Sequence, residues 1–227
     1  MEPFRALVGR ACPLALANVD TDQILPARFL KRPRSEGHAA VLFHDLRFDA
    51  EGRPRPEFPL NRPQWEGARI LVARRNFGAG SSREAAVYAL VDYGIRCVIA
   101  PSFGDIFAGN AVNNGLLPAR VPEAEAEALI AALERGLAEV AVDLEAQSIR
   151  AGDRAVAFAI DPVWRTKLLN GWDDLDLTAS YSRMIASFSA ADATKRPWAA
   201  PQFEESGLDL SIPGSRALRS ALGQKRK

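Results

Sequence analysis

The spacing of apolar positions along this chain changes several times, and each change marks an element. Residues 70–73 and 97–100 are unbroken apolar runs of four, short and β-branched enough to read as buried strands. Residues 14–17, 116–121 and 140–144 are three further candidate strands. Residues 148–150 and 155–160 flank Ala151-Gly-Asp-Arg154, the signal of a hairpin. Between these runs the period lengthens. Ala86, Val87, Leu90 and Val91 recur at helical spacing until Gly94 stops them. Residues 106–113 form a second helix, with Asn114-Gly115 suited to a left-handed cap. Residues 124–137 form a third, with Leu129, Ile130, Leu133 and Leu137 facing inward. Pro162 can occupy a first turn and opens a fourth, which ends at Asn170-Gly171, and residues 181–188 form the last.

Strands that alternate with helices through the middle of the chain predict an α/β fold. Its centre is a sheet built on βαβ units, with additional antiparallel strands and flanking helices. Residues 28–67 are rich in arginine and proline, which predicts long surface loops around a short helical piece near residues 39–45. The domain is expected to run through residue 195. From there the composition shifts to Pro, Ser, Gly, Arg and Lys, and residues 196–227 read as an extended or disordered tail.

Charge narrows the range of partners. With 29 basic and 28 acidic residues the net charge is +1, so no broad cationic field favours nucleic acid or an anionic membrane. No apolar run is long enough to span a bilayer, and Met-Glu-Pro-Phe-Arg-Ala lacks the pattern of a signal peptide. The two cysteines, Cys12 and Cys97, are too few and too far apart for a disulfide framework or a cysteine-bound cluster. His38 and His44 show no metal-ligand spacing. A reducing, cytoplasmic setting is expected.

Candidate chemistry concentrates where the first clear strand meets its helix. Phe77-Gly78-Ala79-Gly80 is a glycine-punctuated loop, and Ser81-Ser82-Arg83-Glu84 opens the helical spacing. A helix start presents free N–H groups and partial positive charge, so two hydroxyls and a guanidinium there suit a carboxylate. The same residues fit a capping box in which Ser81 caps the helix and Glu84 reaches back. That box leaves Ser82 and Arg83 unexplained, and both readings stand at this level. Asp20, Thr21 and Asp22 suit a cap or an Asx turn, or alternatively acid–base chemistry or a divalent ion. The arginines of residues 28–67 suit a solvated face or the carboxylates of a small diacid. Gly78-x-Gly80 faintly suggests a dinucleotide loop, but Arg83 occupies the third glycine position and there is no P-loop.

Three stretches together resemble one family. They are Asn18-Val-Asp-Thr-Asp-Gln-Ile-Leu-Pro-Ala-Arg-Phe-Leu30, Asn76-Phe-Gly-Ala-Gly-Ser-Ser-Arg-Glu84 and Ala100-Pro-Ser-Phe-Gly-Asp-Ile-Phe-Ala-Gly-Asn-Ala-Val-Asn-Asn-Gly-Leu-Leu-Pro118. Asp143-Leu-Glu-Ala-Gln147 and Asn170-Gly171 extend the likeness over roughly residues 5–195. The family is the small subunit of 3-isopropylmalate dehydratase, itself similar to the swivel domain of aconitases. The resemblance implies a swivel-type fold and a hydro-lyase of leucine biosynthesis that works as a heterodimer or higher heteromer with a large subunit. It implies a small dicarboxylic hydroxy acid as substrate. It implies that this chain binds no cofactor, and that the large subunit carries a four-iron–four-sulfur cluster acting as Lewis acid on the leaving hydroxyl.

By the same resemblance Ser81 matches the catalytic serine base, and Arg83 the arginine that grips a substrate carboxylate. Ser82, Asp22 and Arg28 are expected to bind substrate with them, and residues 28–34 match the segment that lines the substrate side chain. The family commonly reads Glu-Asn-Phe-Gly-Cys-Gly-Ser-Ser-Arg-Glu-His-Ala-Pro, where this chain has Arg75, Ala79, Ala85 and Val87 at the changed places. Those departures leave open a related dehydratase for another 2-hydroxy diacid, of methylmalate type, or a non-catalytic duplicate.

Overall fold

A computed structural model describes residues 1–199, and its backbone is organised by one strand with two kinds of neighbour. Strand β1 (Ala6–Leu14) pairs in parallel with β2 (Ile70–Ala73) through its second half, Ala11 opposite Ile70 and Leu14 opposite Ala73. Its first half pairs antiparallel with β5 (Glu139–Asp143). Strands β3 (Cys97–Ala100) and β4 (Leu117–Arg120) continue the parallel side, while β6 (Ser148–Ala151) and β7 (Arg154–Ala157) continue the antiparallel side. The result is a single seven-stranded mixed sheet in the order β4-β3-β2-β1-β5-β6-β7. The α/β class, the central βαβ units and the added antiparallel strands are as expected from the pattern.

The first strand lies earlier than its apolar run suggests. Leu14 is its last residue, and Leu16 N–H turns back onto the Leu14 carbonyl at 2.6 Å. Residues 6–10 alternate between the two faces, with Leu7 buried and Val8 exposed, so no continuous run advertises them.

The parallel strands are buried on both faces, as βαβ crossovers require. Helix α3 (Glu84–Tyr93) joins β2 to β3, and α4 (Asp105–Asn113) joins β3 to β4. Leu71, Ala73, Val98 and Ala100 share one face with Cys12 and Leu14, packed against Ala86, Val87, Ala89 and Leu90 of α3. The alternate residues Ile70, Val72, Cys97 and Ile99 face α5 (Glu123–Glu134), which contributes Ala126, Leu129, Ile130 and Leu133. Both cysteines are fully buried, Cys12 within β1 and Cys97 within β3.

Residues 28–67 differ from the expected surface loops. They form a succession of single 3₁₀ turns around one short helix, α2 (His44–Arg47), which follows α1 (Thr21–Ile24) in the chain. The turns carry Val41, Leu42, Phe43, Phe58, Leu60 and Trp65 into the core on the α3 side of the sheet. Proline suppresses long helices and strands there, and the apolar side chains are buried from irregular backbone instead.

Helix α6 (Pro162–Asn170) is capped by Asp161, whose side chain accepts from the N–H groups of Val163 and Trp164, and Gly171 ends it in the left-handed region. Helix α7 (Asp174–Ser180) has no counterpart in the sequence reading. The Asp173 carboxylate accepts from the N–H groups of Leu175 and Asp176. Two compact units divide at Ser180. In the second, α8 (Ser182–Lys195) runs past the expected end at residue 188, helped by the Asp192–Arg196 ion pair one turn apart. Of the tail expected over residues 196–227, Pro197–Ala199 form a single 3₁₀ turn and residues 200–227 lie outside the described residues. Among the described residues no helix is long and apolar enough to cross a membrane.

The turn after β2 is where backbone freedom is required. Gly78 takes φ +75°, and a Cβ there would sit inside the van der Waals envelope of the Phe107 ring. Gly78→Ala combines that overlap with a disfavoured φ, and thermal or denaturant unfolding is expected to show a loss of about 2 kcal/mol or more. A change below about 0.5 kcal/mol would mean that the turn tolerates a side chain. Burial pushes the Cys12 thiol up to about 12 and raises the Cys97 thiol as well, so both stay protonated at pH 8. The native chain is therefore expected to be inert to a thiol-titrating disulfide reagent at pH 8 and to release two thiols on unfolding.

Candidate active site

The parallel strands β1, β2 and β3 point the same way, so the loops that leave their carboxyl ends are neighbours. That edge is where open α/β sheets bind ligands. The loop after β2 is clamped by main-chain hydrogen bonds on both sides. Phe77 N–H donates to the Ser102 carbonyl at 3.0 Å, and Gly104 N–H donates to the Phe77 carbonyl at 2.9 Å, which ties the loop to the one after β3. On the other side Gly78 and Ala79 N–H donate to the Val19 carbonyl at 2.7 and 3.2 Å, and Thr21 N–H donates to the Ala79 carbonyl at 2.9 Å. The buried Thr21 hydroxyl then donates to the Ser81 carbonyl at 2.8 Å. Ser81 is thus held by its backbone while its side chain remains exposed.

Ser81 lines a cavity of about 210 Å³ with Gly78 and Gly80, opposite Gly104, Asp105, Ile106 and Phe107. These last four are the N-cap and first turn of α4. Glycine at the N-cap offers no side-chain oxygen, so the first-turn N–H groups of α4 have no side-chain cap. The start of a nine-residue helix, with its free first-turn N–H groups and the Asp105 carboxylate among them, therefore walls the space in front of Ser81. A larger cavity of about 420 Å³, lined among others by Arg120, Ile160 and Trp164, adjoins it and shares Asp105.

This differs from the expectation that Ser81 starts α3. That helix begins at Glu84 with Arg83 as its N-cap, and no side chain caps it. The capping box proposed for Ser81 and Glu84 is absent, because the Glu84 carboxylate accepts from Asn114 Nδ2 at 2.9 Å instead. The box exists one loop earlier. Gln23 N–H donates to Asp20 Oδ1 at 2.7 Å, and Asp20 N–H donates to Gln23 Oε1 at 3.0 Å. The cap reading of residues 20–22 therefore holds for Asp20.

The other expected residues divide into two groups. Arg83 is ion-paired with Asp22, with its side chain 17% exposed against 51% for the aspartate. That brings the two together beside Ser81. Ser82 is exposed and makes no side-chain hydrogen bond among the described residues. Arg28 lies elsewhere. It is ion-paired with Asp45 and lines a separate cavity of about 320 Å³ with His44, Phe48, Asp49 and Arg55. The hydrogen bond from Arg28 holds the Asp45 carboxyl down at about 2.

The departures from the family pattern also have definite places. Arg75 Nη1 lies 3.5 Å from Glu123 on α5, Val87 is fully buried in the core, and Ala85 packs against that core. Ala79 forms a bridge with Asp20. The sequence reading missed the contributions of Thr21 and of the α4 start. Their signal lies in sheet order, which makes the loops after β1, β2 and β3 adjacent, and local spacing does not carry it. Among the described residues no group of three or more His, Cys, Asp and Glu is placed to hold a metal ion. The two thiols, each enclosed in a strand, do not fit an iron–sulfur cluster.

Comparison with known proteins agrees with this architecture. Residues 1–124 match the family model described as the aconitase C-terminal domain, and residues 127–162 match the one described as LeuD_N. The chain is 51% identical over 201 residues to the 3-isopropylmalate dehydratase small subunit of Rhodospirillum centenum, covering 88% of this chain and 99% of that protein. It is 48% identical over 199 residues to the small subunit of Phenylobacterium zucineum, covering 87% and 98%. The solved 3-isopropylmalate dehydratase (leuD) of Methanocaldococcus jannaschii superimposes with a TM-score of 0.57 at 25% identity, covering 80% of this chain and 98% of that one. The chain therefore belongs to the 3-isopropylmalate dehydratase small-subunit family, built on the aconitase C-terminal domain.

Proposed function

We propose that this chain is the small subunit of a hydro-lyase that interconverts 2-isopropylmalate and 3-isopropylmalate in leucine biosynthesis, with Ser81 as its base. The observation that carries the reading is an exposed Ser81 side chain, held from behind by its own carbonyl and faced by the uncapped start of α4. Membership of the family supports the reaction class. The cluster implied by the family is assigned to a large subunit, because the donor set of this chain does not fit it.

A serine hydroxyl is a very weak acid, so taking a proton from carbon requires positive potential at its oxygen. The first-turn dipoles of α4 supply part of it without reorganisation. The proton that Ser81 accepts is the one on the carbon beside a carboxylate. Loss of that proton and of the neighbouring hydroxyl, as water, leaves an unsaturated diacid, and readdition of water at the adjacent carbon moves the hydroxyl. Arg83 binds one substrate carboxylate. Asp22 takes one of its N–H donors and fixes the guanidinium, leaving donors for the substrate. Asp22 thus acts through Arg83, and Ser82 is the second hydroxyl at the rim. Of the four departures from the family pattern, those at 75, 85 and 87 take core or surface-pair positions and support retention of the family reaction, while Ala79 lies in the clamped loop before Ser81.

The test is Ser81→Ala in the complex reconstituted with a large subunit. Turnover of isopropylmalate is expected to fall about 100-fold or more while assembly is unchanged, since a positioned base is worth about 10²–10⁴. A rate within a few-fold of the parent would remove Ser81 from the chemistry.

A further inference from the structure

The cavity of about 420 Å³ beside the Ser81 cavity has no part in the chemistry derived above, and its walls are of another kind. Strand β4 is an edge of the sheet, and its last residue, Arg120, exchanges two main-chain hydrogen bonds with Ala159, at 3.2 and 2.7 Å. That bridge sets residues 159–164 beside the start of α4. Phe103, Pro118, Ile160, Pro162 and Trp164 line the space between them. Apolar surface continues outside it. Ile106, which lines the Ser81 cavity, is 57% exposed, and Val163, which follows Pro162, is 46% exposed.

Three charged residues line this cavity, and two of them are compensated within the chain. The Asp161 carboxylate accepts from the N–H groups of Val163 and Trp164 at 2.8 and 3.2 Å. Asp105 stands among the free first-turn N–H groups of α4. Arg120 is exposed, and among the described residues its guanidinium makes no hydrogen bond or ion pair. An otherwise apolar hollow thus carries one uncompensated cation.

Position decides what covers it. The functional reading above requires the large subunit to bring its cluster to the mouth of the Ser81 cavity, and Asp105 lines both cavities. A polypeptide seated on the first therefore overhangs the second. The Ser81 cavity is also too small to be the whole contact. Seven residues line it, three of them glycine, whereas a specific interface engages about 20–30 residues a side. The core of such an interface is enriched in aromatic residues and arginine, and the adjoining cavity supplies Phe103, Trp164 and Arg120.

We infer that this cavity is a docking socket for the large subunit, taking an apolar segment of that chain whose carboxylate side chain pairs with Arg120. The inference rests on the functional reading above, and extends it from the reacting groups to the surface that assembles them.

The test is the affinity of the full chain for its large subunit, read by isothermal titration calorimetry. Arg120→Glu sets like charges against each other and is expected to raise the Kd about 30-fold or more. Arg120→Gln, which removes the charge without reversing it, should raise it about tenfold and flatten its salt dependence. Val163→Asp should also raise it about tenfold. The melting temperature of the free chain should hold in all three, because Arg120 and Val163 are exposed. At saturating large subunit, kcat of each variant should come within about threefold of the parent. An unchanged Kd in Arg120→Glu and Arg120→Gln would overturn the inference. An unchanged Kd with a raised KM for isopropylmalate would overturn it too, and would assign the cavity to substrate. Self-association of the free parent that Val163→Asp abolishes, with affinity for the large subunit intact, would assign it to a second copy instead. Ser81→Ala should bind the large subunit as the parent does. A normal rate in that variant would remove the functional reading, whereas the Kd series decides the socket alone.

Discussion

Main-chain hydrogen bonds between three adjacent loops hold this site together. Phe77 pairs across to residues 102–104, and Gly78 and Ala79 pair across to Val19 and Thr21, so a loop of four small residues is set between two others. This arrangement exists because β2 lies between β1 and β3 in a parallel sheet, with all three ending on one edge. Gly78 lets the loop pass over Phe107, and the close approach of Gly104 to the Gly78 carbonyl requires a second residue without a side chain. The clamp orders the Ser81 backbone, at an entropic cost of about 1–2 kcal/mol per residue, before any ligand arrives. A catalytic hydroxyl gains from such preorganisation.

The electrostatics follow from the same adjacency. The loop after β3 turns at once into α4, so the start of that helix confronts Ser81 across the cavity. The start of α3 is used differently. Arg83 occupies its N-cap and pairs with Asp22, and Glu84 is drawn to Asn114. One helix start therefore faces the hydroxyl, while the other carries the Arg83–Asp22 ion pair.

The parallel strands were legible because they are buried on both faces, and their apolar runs are continuous for that reason. The first half of β1 was not, because it leaves β2 for an antiparallel partner and exposes Val8 and Arg10. The Ser-x-x-Glu of residues 81–84 and the Asp-x-x-Gln of residues 20–23 are the same local signal, and only the second closes a box. Tertiary structure decides between them, since Glu84 has Asn114 within reach and Gln23 has nearer donors at home. Phe43, Phe58 and Trp65 are in the core although no periodicity announces them, because single 3₁₀ turns have none to show. The glycine-punctuated loop before Ser81 was readable from local sequence. Its confrontation with α4 depends on strand order, and the pairing of Arg28 with Asp45 on a contact that no local spacing shows.

The central claim is that the Ser81 cavity is half of a site, completed by another polypeptide docking on the clamped loops. Amide hydrogen exchange, followed for the chain alone and after addition of the large subunit, tests this most directly. The account predicts new protection concentrated at residues 78–82 and 104–107. Protection confined to a remote element such as the β6–β7 hairpin, with those two segments exchanging as before, would contradict it.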